Sequence, residues 1–145
     1  MAYWISDEFP EADMNKVIKM CLIHDLGECF TGDIPTFDKT KADEEQEKSL
    51  LQWVDTLPAP FREEMTALYQ EMEARQTVEA KIYKALDNME AVIQHNEADI
   101  KTWADHEYEL NLTYGVDKAS FSPYLRELRE AMKQETLEKM DRERI

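Results

Sequence analysis

Apolar residues recur at helical spacing along most of this 145-residue chain, and no stretch alternates apolar and polar positions for long enough to make a strand. After Asp13, the run MNKVIKMCLIHDL sets Met14, Ile18, Cys21 and Leu22 on one stripe, which predicts an amphipathic helix with Gly27 as its exit or distortion point. Ahead of it, Tyr3, Trp4 and Ile5 suggest a short helix over 1–8 that Phe9-Pro10 breaks. The string TGDIPTFDK over 31–39 is loop chemistry. Helix is expected again over 42–56, with Leu50, Leu51, Trp53 and Val54 as its apolar face, until Pro58 and Pro60 end it and start the next. Helices over 61–75, 78–96, 100–111 and 123–142 complete the pattern, with Tyr114-Gly115 as a turn. The expected fold is all-α: one bundle of about six to seven helices, with no internal repeat and no linker dividing it.

Composition narrows the function. With 43% apolar residues there is enough material for a single core. The longest apolar run, over 20–23, is far too short to cross a bilayer, and the N-terminus lacks a signal peptide's basic segment and cleavage pattern. The expectation is a cytoplasmic protein with no membrane partner. Thirty-two acidic against 17 basic residues give a formal charge of −15. Nucleic-acid polymers draw most of their affinity from Lys and Arg, so they are poor partners for this chain. A small anion fits if a bound cation reverses the field locally. Cys21 and Cys29 are too few for a disulfide framework and are expected to be reduced core residues.

Candidate chemistry gathers at the end of the second predicted helix. With the stripe centred on Met14, Ile18, Cys21 and Leu22, Asp25 falls on it one turn further on, flanked by His24 and Glu28. A buried carboxylate must be protonated, paired or given to a metal, and no Lys or Arg lies between Met20 and Lys39. An imidazole nitrogen beside a carboxylate oxygen suits Mn, Fe, Co, Ni or Zn. The same His also fits an ordinary cap at a helix C-terminus.

The string CLIHDLGECFTGDIPT over 21–36 resembles the HD-domain phosphohydrolase superfamily, and within it the small branch of metal-dependent 5′-deoxynucleotidases. The pattern is compound, HDxxE followed by TGDxPT at the end of an apolar helix, and the likeness continues through the helix over 78–96. It implies one divalent metal ion, of Mn, Co, Zn, Fe or Mg, bound by His24 and Asp25 and by Asp87 in YKALDNMEAVIQ. On its own helix Asp87 lies away from the stripe of Val78, Ile82, Leu86, Met89 and Ile93, on a face carrying Ala80, Tyr83, Ala91 and Gln94. The family's further His, from an earlier helix, has no counterpart because no histidine precedes His24. The chain is therefore expected to be shortened at its N-terminus relative to the family, with three protein ligands remaining.

The resemblance further implies Glu28 as the acid/base residue that protonates the leaving sugar oxygen, and Asp33 fits a role in orienting the attacking water or a substrate hydroxyl. The implied reaction is hydrolysis of a deoxyribonucleoside 5′-monophosphate, a small-molecule nucleotide, by a homodimer. Three rivals differ in chemistry. A catalytically weakened or inactive HD-fold binding module follows from the missing His. An all-α pyrophosphatase would use Glu clusters, but Glu44, Glu45, Glu47, Glu63, Glu64 and Glu71 read more simply as solvated helix faces. A helical interaction protein would draw on the eight methionines, which at helical spacing usually fill cores.

Overall fold

The computed structural model describes residues 1–31 and 42–143. Among them it is all-α, with no strand: α1 is Met14–Ile23, α2 Glu28–Thr31, α3 Ala42–Val54, α4 Phe61–Ala74, α5 Val78–Glu97, α6 Glu107–Thr113, α7 Val116–Ala119 and α8 Pro123–Glu143. No helix among the described residues is long and apolar enough to cross a membrane. Two compact units divide the chain, residues 2–83 and residues 84–145 with Met1, so that α5 contributes to both.

In the unit over 2–83, α1 packs on α4, α4 on α3 and α3 on α2. Local chemistry fixes the helix starts. Asp13 caps α1, its Oδ1 accepting from the Lys16 N–H at 3.1 Å. Thr77 Oγ1 accepts from the Ala80 N–H at 3.2 Å and donates to Glu71 at 2.9 Å, tying the start of α5 to the end of α4. Arg75 closes α4 in the left-handed conformation, φ 52°. Val17, Met20, Val54, Ala80 and Ile82 are fully enclosed.

Three expectations change here. Residues 1–8 form turns and a single 3₁₀ turn, Ser6–Glu8, instead of a helix. Too few residues follow one another there to nucleate a helix, and Ile5 and Phe9 bury while Tyr3 and Trp4 stay 79% and 83% exposed. The buried stripe of α1 is Met14, Val17 and Met20, whereas Leu22 is 74% exposed. Ile18 and Leu22 weigh as heavily as Val17 and Met20 in the sequence, so apolar counting centred the stripe on the wrong side. Cys21 and Cys29 form no disulfide, but Cys21 is only half-buried and Cys29 is exposed, so neither is a fully buried core residue.

In the second unit α8 packs against α6, α7 and the 3₁₀ turn Ile100–Thr102. The single helix expected over 100–111 is broken. Asp99 caps the short turn, accepting from the Lys101 N–H at 2.9 Å, and Trp103 then leaves helical geometry to bury its ring and donate from Nε1 to the His95 carbonyl at 3.0 Å. Glu107 restarts the chain as α6 by accepting from the Ala104 N–H at 2.7 Å. A polar lattice fills the centre: Asn111 Nδ2 donates to Asn96 Oδ1 and Thr136 Oγ1, each at 2.8 Å, and all three side chains are buried. Arg129, 2% exposed, donates to the carbonyls of Tyr114 and Asn111 at 3.0 Å each and so caps the C-terminal end of α6 with a positive charge. At α8, Ser122 accepts from the Leu125 N–H at 3.3 Å, with Pro123 as the first helical residue.

The turn between α6 and α7 requires its glycine. Gly115 sits at φ 76°, and a Cβ there would meet the Asn88 Cβ at 2.6 Å. Gly115→Ala is expected to lower the free energy of unfolding by about 1–3 kcal/mol, read from urea denaturation. An unchanged midpoint would show that the turn relaxes without cost.

Candidate metal and catalytic site

His24 and Asp25 lie at the C-terminal exit of α1, in the turn that leads to α2. His24 is the C-cap and continues the buried side of the helix after Val17 and Met20, its side chain 23% exposed. Asp25 is turned outward, its side chain 55% exposed. The expectation that Asp25 lies on the apolar stripe is therefore overturned: regular helix stops at Ile23, and the enclosed member of the pair is the imidazole.

The hydrogen bonds of His24 define its chemistry. Nδ1 is in contact with the Cys21 carbonyl oxygen. A carbonyl only accepts, so Nδ1 carries the proton and donates. The other ring nitrogen, Nε2, faces Asp25 Oδ2 at 3.1 Å. Two lone pairs cannot share that separation without positive charge between them, either a proton on Nε2 or a cation bound by both groups. The ring is also held edge-on by Tyr83, centroids 5.8 Å apart. A metal-binding His commonly has its second nitrogen fixed by a backbone carbonyl in this way.

Further donors hold the turn. The Leu26 N–H donates to the Ile23 carbonyl at 3.3 Å and the Glu28 N–H to the Asp25 carbonyl at 3.0 Å. From α4 the Tyr69 hydroxyl donates to the same Ile23 carbonyl at 2.8 Å. Burial pushes the Tyr69 phenol up to about 12, which keeps it a donor. Gly27 is buried against Gln46 of α3, and Glu28 opens α2 half-buried. Asp33 lies outside the described residues.

Asp87 belongs to the second unit. Its carboxylate pairs with Lys84 at 3.2 Å, and its side chain is 22% exposed. The face of α5 that carries it is lined by Ala80, Tyr83 and Ala91, all buried, so α5 is enclosed on more sides than one apolar stripe would give. Burial, with smaller contributions from Asp87 and Asp117, pushes the Tyr114 phenol up to about 12. His24 and Asp25 fit a divalent ion in donor type and spacing. Among the described residues no group of three or more His, Cys, Asp and Glu side chains is arranged to hold a metal ion.

The profile of one protein family, described as HD domain, matches residues 1–129. The chain belongs to the HD-domain family. Human 5′-deoxynucleotidase HDDC2 is 32% identical to it over 100 residues, 67% of this chain and 48% of that protein. The 5′-deoxynucleotidase HDDC2 of Dictyostelium discoideum is 34% identical over 93 residues, 62% of this chain and 49% of that protein. This HD-domain chain thus spans about half the length of the relatives it matches. A crystal structure from Magnetospirillum magnetotacticum MS-1, described as a predicted metal-dependent phosphohydrolase, superposes with a TM-score of 0.75 at 27% identity, covering 96% of this chain and 72% of that one.

Sequence reasoning missed Tyr69. It is 46 residues from its partner, and its one signal is a polar tip at a half-buried position of α4. Because both Tyr69 and Tyr114 have folded-state pKa values near 12, above the usual 10, the unfolded chain loses these protons first on raising the pH. Their stabilising share is fully present below pH 10 and is lost as pH rises from about 10 to about 12. Urea midpoints measured from pH 9 to 11.5 are expected to fall, and Tyr69→Phe should flatten the fall. Equal slopes in the two proteins would contradict the assignment to Tyr69.

Proposed function

We propose that this HD-domain chain is a metal-dependent phosphohydrolase that cleaves deoxyribonucleoside 5′-monophosphates to deoxynucleoside and phosphate. The observation that carries the reading is the His24 and Asp25 pair, an imidazole nitrogen and a carboxylate oxygen 3.1 Å apart that need a positive charge between them. The names of the relatives, 5′-deoxynucleotidase and metal-dependent phosphohydrolase, support the reaction class.

In this reading one divalent ion, of Mn, Co, Zn, Fe or Mg, is held by His24, Asp25 and Asp87. When bound, such an ion polarises a phosphoryl oxygen and offsets the substrate's charge. Support for Asp87 comes from the sequence: it stands in YKALDNMEAVIQ, where the family resemblance puts the later Asp ligand. The Nδ1 contact with Cys21 orients the imidazole so that Nε2 is the ring nitrogen that faces Asp25 and would bind the ion. Glu28, three residues beyond Asp25 and tied to its carbonyl, supplies the proton to the departing sugar oxygen. Asp33 orients the attacking water or a substrate hydroxyl. The described units serve together as a single HD domain, acting in the cytoplasm as a homodimer on a small-molecule nucleotide.

Metal content of the purified protein and phosphate release from a panel of deoxynucleoside monophosphates test the reading together. Asp87→Ala is expected to abolish the rise in melting temperature that millimolar Mn gives the unaltered chain. Glu28→Ala should keep that rise and lower kcat by about 10²–10⁴-fold. Absence of any metal-dependent rise in the unaltered chain would favour a non-catalytic HD-fold module instead.

A further inference from the structure

The last turn of a helix leaves carbonyls with no partner inside the helix, and at the exit of α1 those carbonyls decide where His24 and Asp25 point. Several of the donors that meet them come from the same short stretch of chain. His24 Nδ1 donates to Cys21, the Leu26 N–H to Ile23 and the Glu28 N–H to Asp25. Such contacts within a few residues can shift together, so they do not by themselves hold the turn against the rest of the unit. Tyr69 is different, since its hydroxyl comes from α4 and reaches the Ile23 carbonyl, immediately before His24, at 2.8 Å.

We propose that Tyr69 is a positioning residue for His24 and Asp25: its hydroxyl, bonded to the Ile23 carbonyl, anchors the turn that carries both side chains to α4. The ring alone would satisfy packing at this half-buried site, so the hydroxyl adds direction and not volume. A second tie between the same helices lies near the other end of α1, where Lys16 Nζ meets Glu71 Oε1 at 3.2 Å. That pair is two turns from His24 and serves as an internal comparison. Loss of either tie loosens α1 against α4, but only loss of the Tyr69 bond frees the turn itself.

The proposal rests on the reading of His24 and Asp25 as metal ligands for its binding arm, and on the turn alone for its exchange arm. Tyr69→Phe and Lys16→Met are prepared in the full chain and compared with the unaltered protein. Amide hydrogen exchange at Leu26 and Glu28 is expected to speed up about fivefold in Tyr69→Phe, the factor that one hydrogen bond confers, and to stay at the unaltered rate in Lys16→Met. Mn(II) affinity measured by calorimetry should weaken by about the same factor in Tyr69→Phe alone. Unchanged exchange at residues 26 and 28 in Tyr69→Phe, or equal acceleration in Lys16→Met, overturns the proposal. So does accelerated exchange with unchanged Mn(II) affinity, because the turn would then move without moving the ligands. If the unaltered chain binds no Mn(II), the metal reading falls, and the exchange rates alone decide whether Tyr69 anchors the turn.

Discussion

His24 Nε2 and a carboxylate oxygen of Asp25 stand 3.1 Å apart while the Cys21 carbonyl holds a proton on the other side of the ring, so the pair needs positive charge between its members, a second proton or a cation. The exit of α1 is built around that arrangement. The helix stops at Ile23, its buried side ends on the imidazole, and Tyr83 sits against the ring edge. A pair of this kind is unfavourable unless positive charge completes it, whether a proton on Nε2 or a bound cation.

The two units handle buried polarity in opposite ways. Over 84–145, Asn96, Asn111 and Thr136 bond chiefly to one another, and the guanidinium of Arg129 is spent on backbone carbonyls at the end of α6. Such a lattice is inward-looking: its bonds specify how α6 and α8 meet and leave little for a ligand. Over 2–83, the polar groups at the end of α1 include an outward-facing carboxylate beside a half-enclosed imidazole. One arrangement fixes packing, the other leaves coordinating capacity directed outward.

Much of the fold was legible because helical periodicity and capping agree. Asp13, Thr77 and Ser122 each precede a helix and each accepts a backbone N–H there. The dipeptide at 24–25 and its spacing to Glu28 were also readable, since Glu28 follows Asp25 by only three residues and one turn bond links them. The orientation of α1 was not. Ile18 and Leu22 carry as much apolar weight as Val17 and Met20, and only the packing against α4 decides which side is buried. The break near Trp103 escaped notice for a similar reason: the bond from its indole to the His95 carbonyl, eight residues back, outweighs local helical preference. Tyr69 was invisible because its role depends on a contact across 46 residues.

Net charge sets a last condition on any phosphate chemistry here. A chain carrying −15 repels a phosphate dianion, and no Lys or Arg lies between Met20 and Lys39, on either side of the candidate pair. Side chains alone therefore give the exit of α1 little attraction for an anion. A divalent ion held there would change the sign of the field over a few ångströms, within about a Debye length where screening is incomplete. Acidity of the whole chain and affinity for a phosphorylated ligand would then be compatible, because the cation would supply the attraction that the side chains lack.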